Sequence, residues 1–373
     1  FGLSDEEWGV NVQALSGSPA NLAVYNAVLK PGDKIMAMYL PDGGHLSHGW
    51  ELPNKKISMV SKIWEVGHYK TDQQTQVFDY DQIEAQARDF LPQLIISGGT
   101  AYPREIDYKR MAEIAHSVGA FYLADVAHEA GLIAGGANES PFRWADVVTM
   151  TTHKTLRGPR GAMIFGRRKV EFTRAYMKAD LSELIDFSVF PGLQGGPHLH
   201  TIAGLAVALG EVNTQEFRSY VTQVVKNAQV LAKELGNRGF DLVSGGTDKH
   251  MVLLDLRKQN LSGWVLAWAL EVAGIVTNRN TVPYESASPF YPSGLRLGTP
   301  AITTRGMKEK EMIQIAEWIE LVFEDVKDLV LPEDSKERSR FVQLFHTEIF
   351  DHGKLQQIRE DVEQLCLRFP LDS

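Results

Sequence analysis

At 373 residues the chain is too long for one small core, and its 44% hydrophobic and 23% charged content is that of a folded globular protein. A formal net charge of -9 excludes a global attraction to nucleic acid or an anionic membrane, so neither is expected as a partner. No apolar stretch reaches the roughly 18 to 20 residues of a membrane span, and the single cysteine, Cys366, excludes an intrachain disulfide framework.

The first stretch, "FGLSDEEWGVNVQALSG", starts at Phe1 and carries neither a basic leader nor an Arg-rich amphipathic one, so the natural N-terminus is expected upstream. Ser16, Gly17 and Ser18 then precede Pro19, a residue suited to the first helical position. Such a turn either simply caps the helix or cradles a phosphate on its free N–H groups. Further along, "KIMAM" (34–38), "QLIIS" (93–97), "AFYLAD" (120–125), "DVVTM" (146–150) and "GAMIF" (161–165) read as buried strands, with a helical pattern over 107–118. The alternation predicts an α/β fold with a mainly parallel sheet between helices, whose ligands collect at the carboxyl ends of the strands.

Two strand ends carry chemistry. Asp125 closes "FYLAD" and His128 follows it; the pair either caps and packs, or serves a ligand. Lys154 follows "VVTMTTH", with Thr151, Thr152 and His153 before it and Arg157 and Arg160 after it. Neighbouring guanidinium groups and partial burial disfavour an ammonium ion, which leaves either a nucleophilic amine able to form a Schiff base or an ordinary loop lysine. From about residue 220 the texture changes. A helix is expected to 235 with Gly236 as its cap, then the strands "FDLVSGG" and "HMVLLDL", and a charged helical tail after Leu331. This reads as a large domain over 1–210 and a smaller α/β domain over 211–373. A phosphate cradle, a strand-end carboxylate and a strand-end lysine together meet the needs of pyridoxal phosphate: an anchor, a partner for the pyridinium nitrogen and a partner for the aldehyde.

Six motifs in one order, "SGSPANLAVY", "PDGGHLSHG", "DVAHEAGLIA", "TTHKTLRGPRG", "FPGLQGGPH" and "SGLRLGTPAITTRG", make the chain resemble the serine hydroxymethyltransferase family. The resemblance implies the fold type I architecture of pyridoxal-phosphate enzymes, with a seven-stranded sheet. It also implies reversible transfer of the hydroxymethyl carbon of L-serine to tetrahydrofolate, giving glycine and 5,10-methylenetetrahydrofolate. Lys154 is then the lysine that holds the cofactor as an internal aldimine, and Asp125 the partner of the ring nitrogen. His45 matches the histidine that stacks on the ring. His128 and Thr100 match positions beside the ring, and Thr151 and His153 positions flanking the lysine. Ser16, Gly17 and Ser18 match the phosphate cradle, to which a neighbouring subunit adds Gly195 and Gly196, so a homodimer or homotetramer with shared sites is implied. Arg296 matches the arginine for the substrate carboxylate, and Leu40, Leu46 and Asn280 match folate contacts. No metal is expected. A cytoplasmic or mitochondrial protein is implied, as is a segment ahead of Phe1 that carries a catalytic glutamate and tyrosines. Met150 and Glu129 depart from the family pattern. Two other readings stay open: a truncated or divergent cofactor-binding homologue acting as a subunit or interaction partner without full catalysis, and a threonine aldolase-like enzyme.

Overall fold

The five apolar runs form five adjacent strands, because side chains buried on both faces leave a sheet between helices as the one place they can go. The protein is described by a computed structural model over residues 1–52, 54–169 and 180–371. Its strands are β1 (Trp8–Asn11), β2 (Lys34–Met38), β3 (Glu51–Leu52), β4 (Lys55–Lys56), β5 (Glu65–Tyr69), β6 (Leu94–Ser97), β7 (Phe121–Asp125), β8 (Val147–Thr151), β9 (Ala162–Arg167), β10 (Asp241–Leu242), β11 (Met251–Asp255), β12 (Asn278–Asn280) and β13 (Gly294–Gly298). Two compact units result, one of Phe1–Asp72 with Val77–Thr222, the other of Gln73–Gln76 with Gln223–Ser373.

The first unit holds a seven-stranded sheet in the order β1-β9-β8-β7-β6-β2-β5. Strands β5, β2, β6, β7 and β8 run parallel, whereas β9 pairs antiparallel with β8 and β1 antiparallel with β9. The reversal at β9 has a simple cause. The connection 152–161 is shorter than the dozen or so residues a parallel crossover needs, so the chain turns straight back, and that tight connection bears Lys154. Helix α1 (Gly17–Val28) lays Ala20, Val24, Tyr25 and Val28 on a core with Ile35, Leu94, Leu123, Val147 and Ile164. Each fully buried aliphatic side chain of this kind contributes about 1.5–3 kcal/mol. The helical pattern at 107–118 becomes a helix over Tyr108–Ser117, capped by the Asp107 carboxylate, which accepts from the N–H of Arg110.

In the second unit, four strands in the order β10-β11-β13-β12 are antiparallel throughout. Trp264, Leu266 and Leu270 of the helix Gly263–Val272 pack with Val252, Leu254 and Leu295 of this sheet. The expectation of a helix end at Gly236 is corrected: the helix continues over Gln215–Asn237, and Gly239 with φ of 85° takes the left-handed position. There the N–H of Phe240 donates to the Leu235 carbonyl (3.1 Å) and that of Gly239 to the Gly236 carbonyl (3.0 Å), which satisfies the last turn. "FDLVSGG" forms only the two-residue β10 before a 3-10 turn over Val243–Gly245. The charged tail is helical over Ser335–Glu348 and Gly353–Arg368. Among the described residues, no helix is long and apolar enough to cross a membrane.

Candidate active site

The carboxyl ends of β6, β7 and β8 meet the start of α1 and the loop between β2 and β3. Asp125, the last residue of β7, is 9% exposed and lies opposite Thr149 of β8. Its Oδ2 accepts from Asn21 Nδ2 at 2.7 Å and lies 3.0 Å from His48 Nε2, while Oδ1 accepts from the N–H of Ala127 at 3.0 Å. Burial alone would raise this carboxyl. The hydrogen bond and charge of His48, with help from His45 and Asn21, outweigh it and hold Asp125 well below the usual carboxylate range. An ionised carboxylate is thus kept in a nearly dry place by three donors.

Asn21 ties four elements together. One amide hydrogen goes to Asp125, the other to Ser47 Oγ (2.9 Å), and its Oδ1 accepts from Thr149 Oγ1 (2.7 Å). Ser47 lies 2.7 Å from His45 Nδ1, and its carbonyl accepts from Tyr25 Oη at 3.0 Å. This network fixes the loop that carries His45 and His48. His45 caps the short 3-10 turn Leu46–His48, and burial first, then the charges of His48 and Lys154, lower its pKa to about 4, so its ring is neutral at pH 7. Thr100 joins the same group through its N–H, which donates to the Gly43 carbonyl at 2.6 Å.

The phosphate-type turn backs directly onto β8. Ser16 is the extended N-cap of α1 and makes no side-chain cap bond, and the turn N–H groups of Gly17 and Ser18 precede the first intrahelical donor, Ala20. At Gly17 an added Cβ would lie 2.8 Å from Thr151 Cγ2, so this close approach requires glycine. Thr151 in turn donates from Oγ1 to the Ala127 carbonyl (3.1 Å), and Thr155 Oγ1 donates to the His128 carbonyl (2.9 Å). Lys154 sits half-buried between them, with its charge acting on both His45 and His153. Burial, Arg160 and Lys154 lower the His153 pKa. Beside the turn, Leu15, Pro19, Leu22, Leu46 and Met59 line a largely apolar cleft, in which Leu46 is 57% exposed. Leu40 opens the short turn Leu40–Asp42 of the same loop.

Four more of the expected residues, Gly195, Gly196, Arg296 and Asn280, have surroundings of their own. Gly195 and Gly196 are exposed, and a Cβ built on either meets no described atom within 4 Å beyond its own chain neighbours. Arg296, on β13 of the second unit, is half-buried and donates to Asn278 Oδ1 (3.3 Å); burial lowers its pKa. In that unit Asn280 lies on β12 opposite Gly294 and donates to the Thr281 carbonyl at 2.7 Å. Met150 is plain core at 1% exposure, and Glu129, 3% exposed, accepts from Tyr108 Oη at 3.2 Å.

His48 and Asn21, neither of them singled out by the sequence motifs, hold Asp125 directly. A signal existed for both. His48 belongs to the same "GGHLSHG" as His45, and Asn21 is a lone amide on the otherwise apolar buried face of α1. Taken together, the helix start open to an anion, the strand-end carboxylate kept ionised and the adjacent lysine fit the phosphate, ring nitrogen and aldehyde of pyridoxal phosphate.

The family model for serine hydroxymethyltransferase matches residues 1–319. The chain is 46% identical over 377 aligned residues to the cytosolic serine hydroxymethyltransferase of Candida albicans, covering 100% of this chain and 79% of the relative. It is 49% identical over 341 residues to the cytosolic enzyme of Saccharomyces cerevisiae (90% and 72%) and 51% identical over 323 residues to the mitochondrial enzyme of Eremothecium gossypii (86% and 65%). With a model match over most of its length and such relatives, the chain belongs to the serine hydroxymethyltransferase family.

Proposed function

We propose that the chain catalyses the reversible transfer of the hydroxymethyl carbon of L-serine to tetrahydrofolate, giving glycine and 5,10-methylenetetrahydrofolate. The family depends on pyridoxal phosphate and uses tetrahydrofolate as co-substrate. When bound, the cofactor supplies an electrophilic carbon and a conjugated ring that accepts the electron pair of a bond broken at Cα. The observation that carries the reading is the ionised Asp125 held by three donors at the end of β7, one strand from the loop of Lys154.

Each role follows from what the side chain can do. Asp125 would hold a proton at the ring nitrogen, since a carboxylate kept so acidic stays anionic and favours a cation beside it. Lys154 Nζ would hold the cofactor covalently. Ser16, Gly17 and Ser18 offer two hydroxyls and open N–H groups to the phosphate. His45, neutral at pH 7, presents an apolar ring face for stacking, and Thr100, His128, Thr151 and His153 complete the surroundings. Arg296 would grip the carboxylate of the amino acid with two parallel bonds, which fixes the bond at Cα that is to break. Leu40, Leu46 and Asn280 would receive the folate, two as apolar walls and one as a polar reader.

A homodimer or homotetramer is part of the proposal. Phe187, Phe190, Leu193 and Leu199 are 72%, 53%, 42% and 71% exposed on one continuous segment, an apolar surface suited to a second copy. Gly195 and Gly196, on that segment, would reach the neighbour's phosphate turn. The reaction is tested by incubating the purified full chain with serine and tetrahydrofolate. Glycine and methylenetetrahydrofolate should form together, and Lys154→Ala should abolish both. Glycine formation without folate turnover, or cleavage of threonine in preference to serine, would overturn the reading.

A further inference from the structure

His45, His48 and Asp125 offer three donor atoms that all lie within 4.8 Å of one another. Two are nearly in place for a single ion: His48 Nε2 and Asp125 Oδ2 are 3.0 Å apart, and bonds of about 2.0–2.1 Å at a tetrahedral Zn²⁺ separate neighbouring donors by about 3.3 Å. The rings of His45 and His48 converge, with centroids 5.5 Å apart and planes at 61°. We propose that the cofactor-free chain takes one transition-metal ion of the Zn²⁺ class on His45, His48 and Asp125, and that this ion and pyridoxal phosphate exclude one another.

The donor set decides the class of ion. Two imidazoles and one carboxylate suit Zn²⁺ or Co²⁺, whereas Mg²⁺ prefers an all-oxygen octahedron. Three protein donors leave a fourth position for water. Asp125 is already oriented by Asn21 Nδ2 and the Ala127 N–H, contacts that an ion on Oδ2 leaves available. His48 Nδ1 is buried with no partner among the described residues. A ring that coordinates the ion through Nε2 gives up its hydrogen bond to the carboxylate and carries its one proton on Nδ1. Lys154, whose charge acts on His45, works against the ion and limits its affinity. Exclusion rests on the proposed function, because there the same Asp125 carboxylate serves the ring nitrogen.

The test uses the full chain freed of pyridoxal phosphate and titrated with Co²⁺. One ion per chain should bind, with the visible absorption of tetrahedral Co²⁺; Zn²⁺ should displace it and Mg²⁺ should not. His45→Gln and His48→Gln, which keep size and polarity, should each weaken binding by about 100-fold or more, since even losing a partner behind a ligand costs 10–100-fold. The Zn²⁺-loaded chain should take up pyridoxal phosphate at least about 10-fold more weakly, read by absorbance and not by activity. The inference is overturned by absence of one-to-one binding, by equal binding of Mg²⁺, by indifference to both substitutions, or by unchanged cofactor uptake in the presence of Zn²⁺. A metal-free chain that fails to take up pyridoxal phosphate overturns the proposed function instead, and the direct Co²⁺ titration still decides the metal site.

Discussion

Replacing His48 by leucine probes how the site keeps Asp125 ionised. His48 is 1% exposed and its Nε2 lies 3.0 Å from a carboxylate that is itself nearly dry. A hydrogen bond to a charged group is worth about 1.5–3 kcal/mol, and stripping one partner from a buried ion costs about 3–5 kcal/mol. Asn21 Nδ2 and the Ala127 N–H remain on Asp125 after the change, which places the expected loss near the lower figure, about 3 kcal/mol. For a unit of this size each kcal/mol shifts the melting temperature by about 2–4 °C, so His48→Leu should melt about 6–12 °C lower. His48→Gln, which keeps a donor, should lose less than half of that. In an Asp125→Asn background, where no buried charge needs compensation, His48→Leu should cost about 1 kcal/mol or less. Thermal and denaturant unfolding of the four chains measures the cycle. A loss for His48→Leu of under about 0.5 kcal/mol, or equal losses with and without the Asp125→Asn change, would refute the account of the carboxylate.

Three further outcomes are expected. Gly17→Ala should push the turn off β8, because the new Cβ would lie 2.8 Å from Thr151 Cγ2; stability should fall by about 1–3 kcal/mol, pyridoxal phosphate affinity should fall with it, and Thr151→Ser should restore part of both. Arg296→Lys keeps the charge but loses the fork, so the KM for serine should rise about 10- to 100-fold in steady-state assays while kcat changes less. His68 carries a pKa lowered from 6.5 to about 4, chiefly by burial. Between those values the unfolded chain takes up a proton that the folded chain refuses, so stability is lost as pH falls from about 6.5 to 4, by up to about 3 kcal/mol. His68→Gln should flatten that part of the curve in denaturant titrations at stepped pH.

The strands were legible because buried strands announce themselves as short apolar runs, and β2, β6, β7, β8 and β9 lie within a residue or two of where those runs fall. Helix ends were less so. Gly236 could have ended its helix, but Gly239 does, because the Leu235 and Gly236 carbonyls find their donors only one turn further on. In the site, the sequence favours residues whose chemistry is local. Asp125 and Lys154 stand at strand ends, where a side chain must face the ligand end of the sheet. His48 and Asn21 escaped because their value lies in a partner 77 and 104 residues away, a distance that no local pattern spans. The Gly17 contact with Thr151 is of the same kind: a glycine after a serine suggests a turn, but only the fold shows that it backs onto the strand leading to Lys154.

Lys154 is the residue proposed to hold the cofactor, and borohydride reduction followed by peptide mass analysis tests that role most directly. The full chain, loaded with pyridoxal phosphate, reduced and digested, should carry one phosphopyridoxyl group per chain on the peptide containing Lys154. A group fixed on another lysine, or none on a chain that has bound the cofactor, would contradict it.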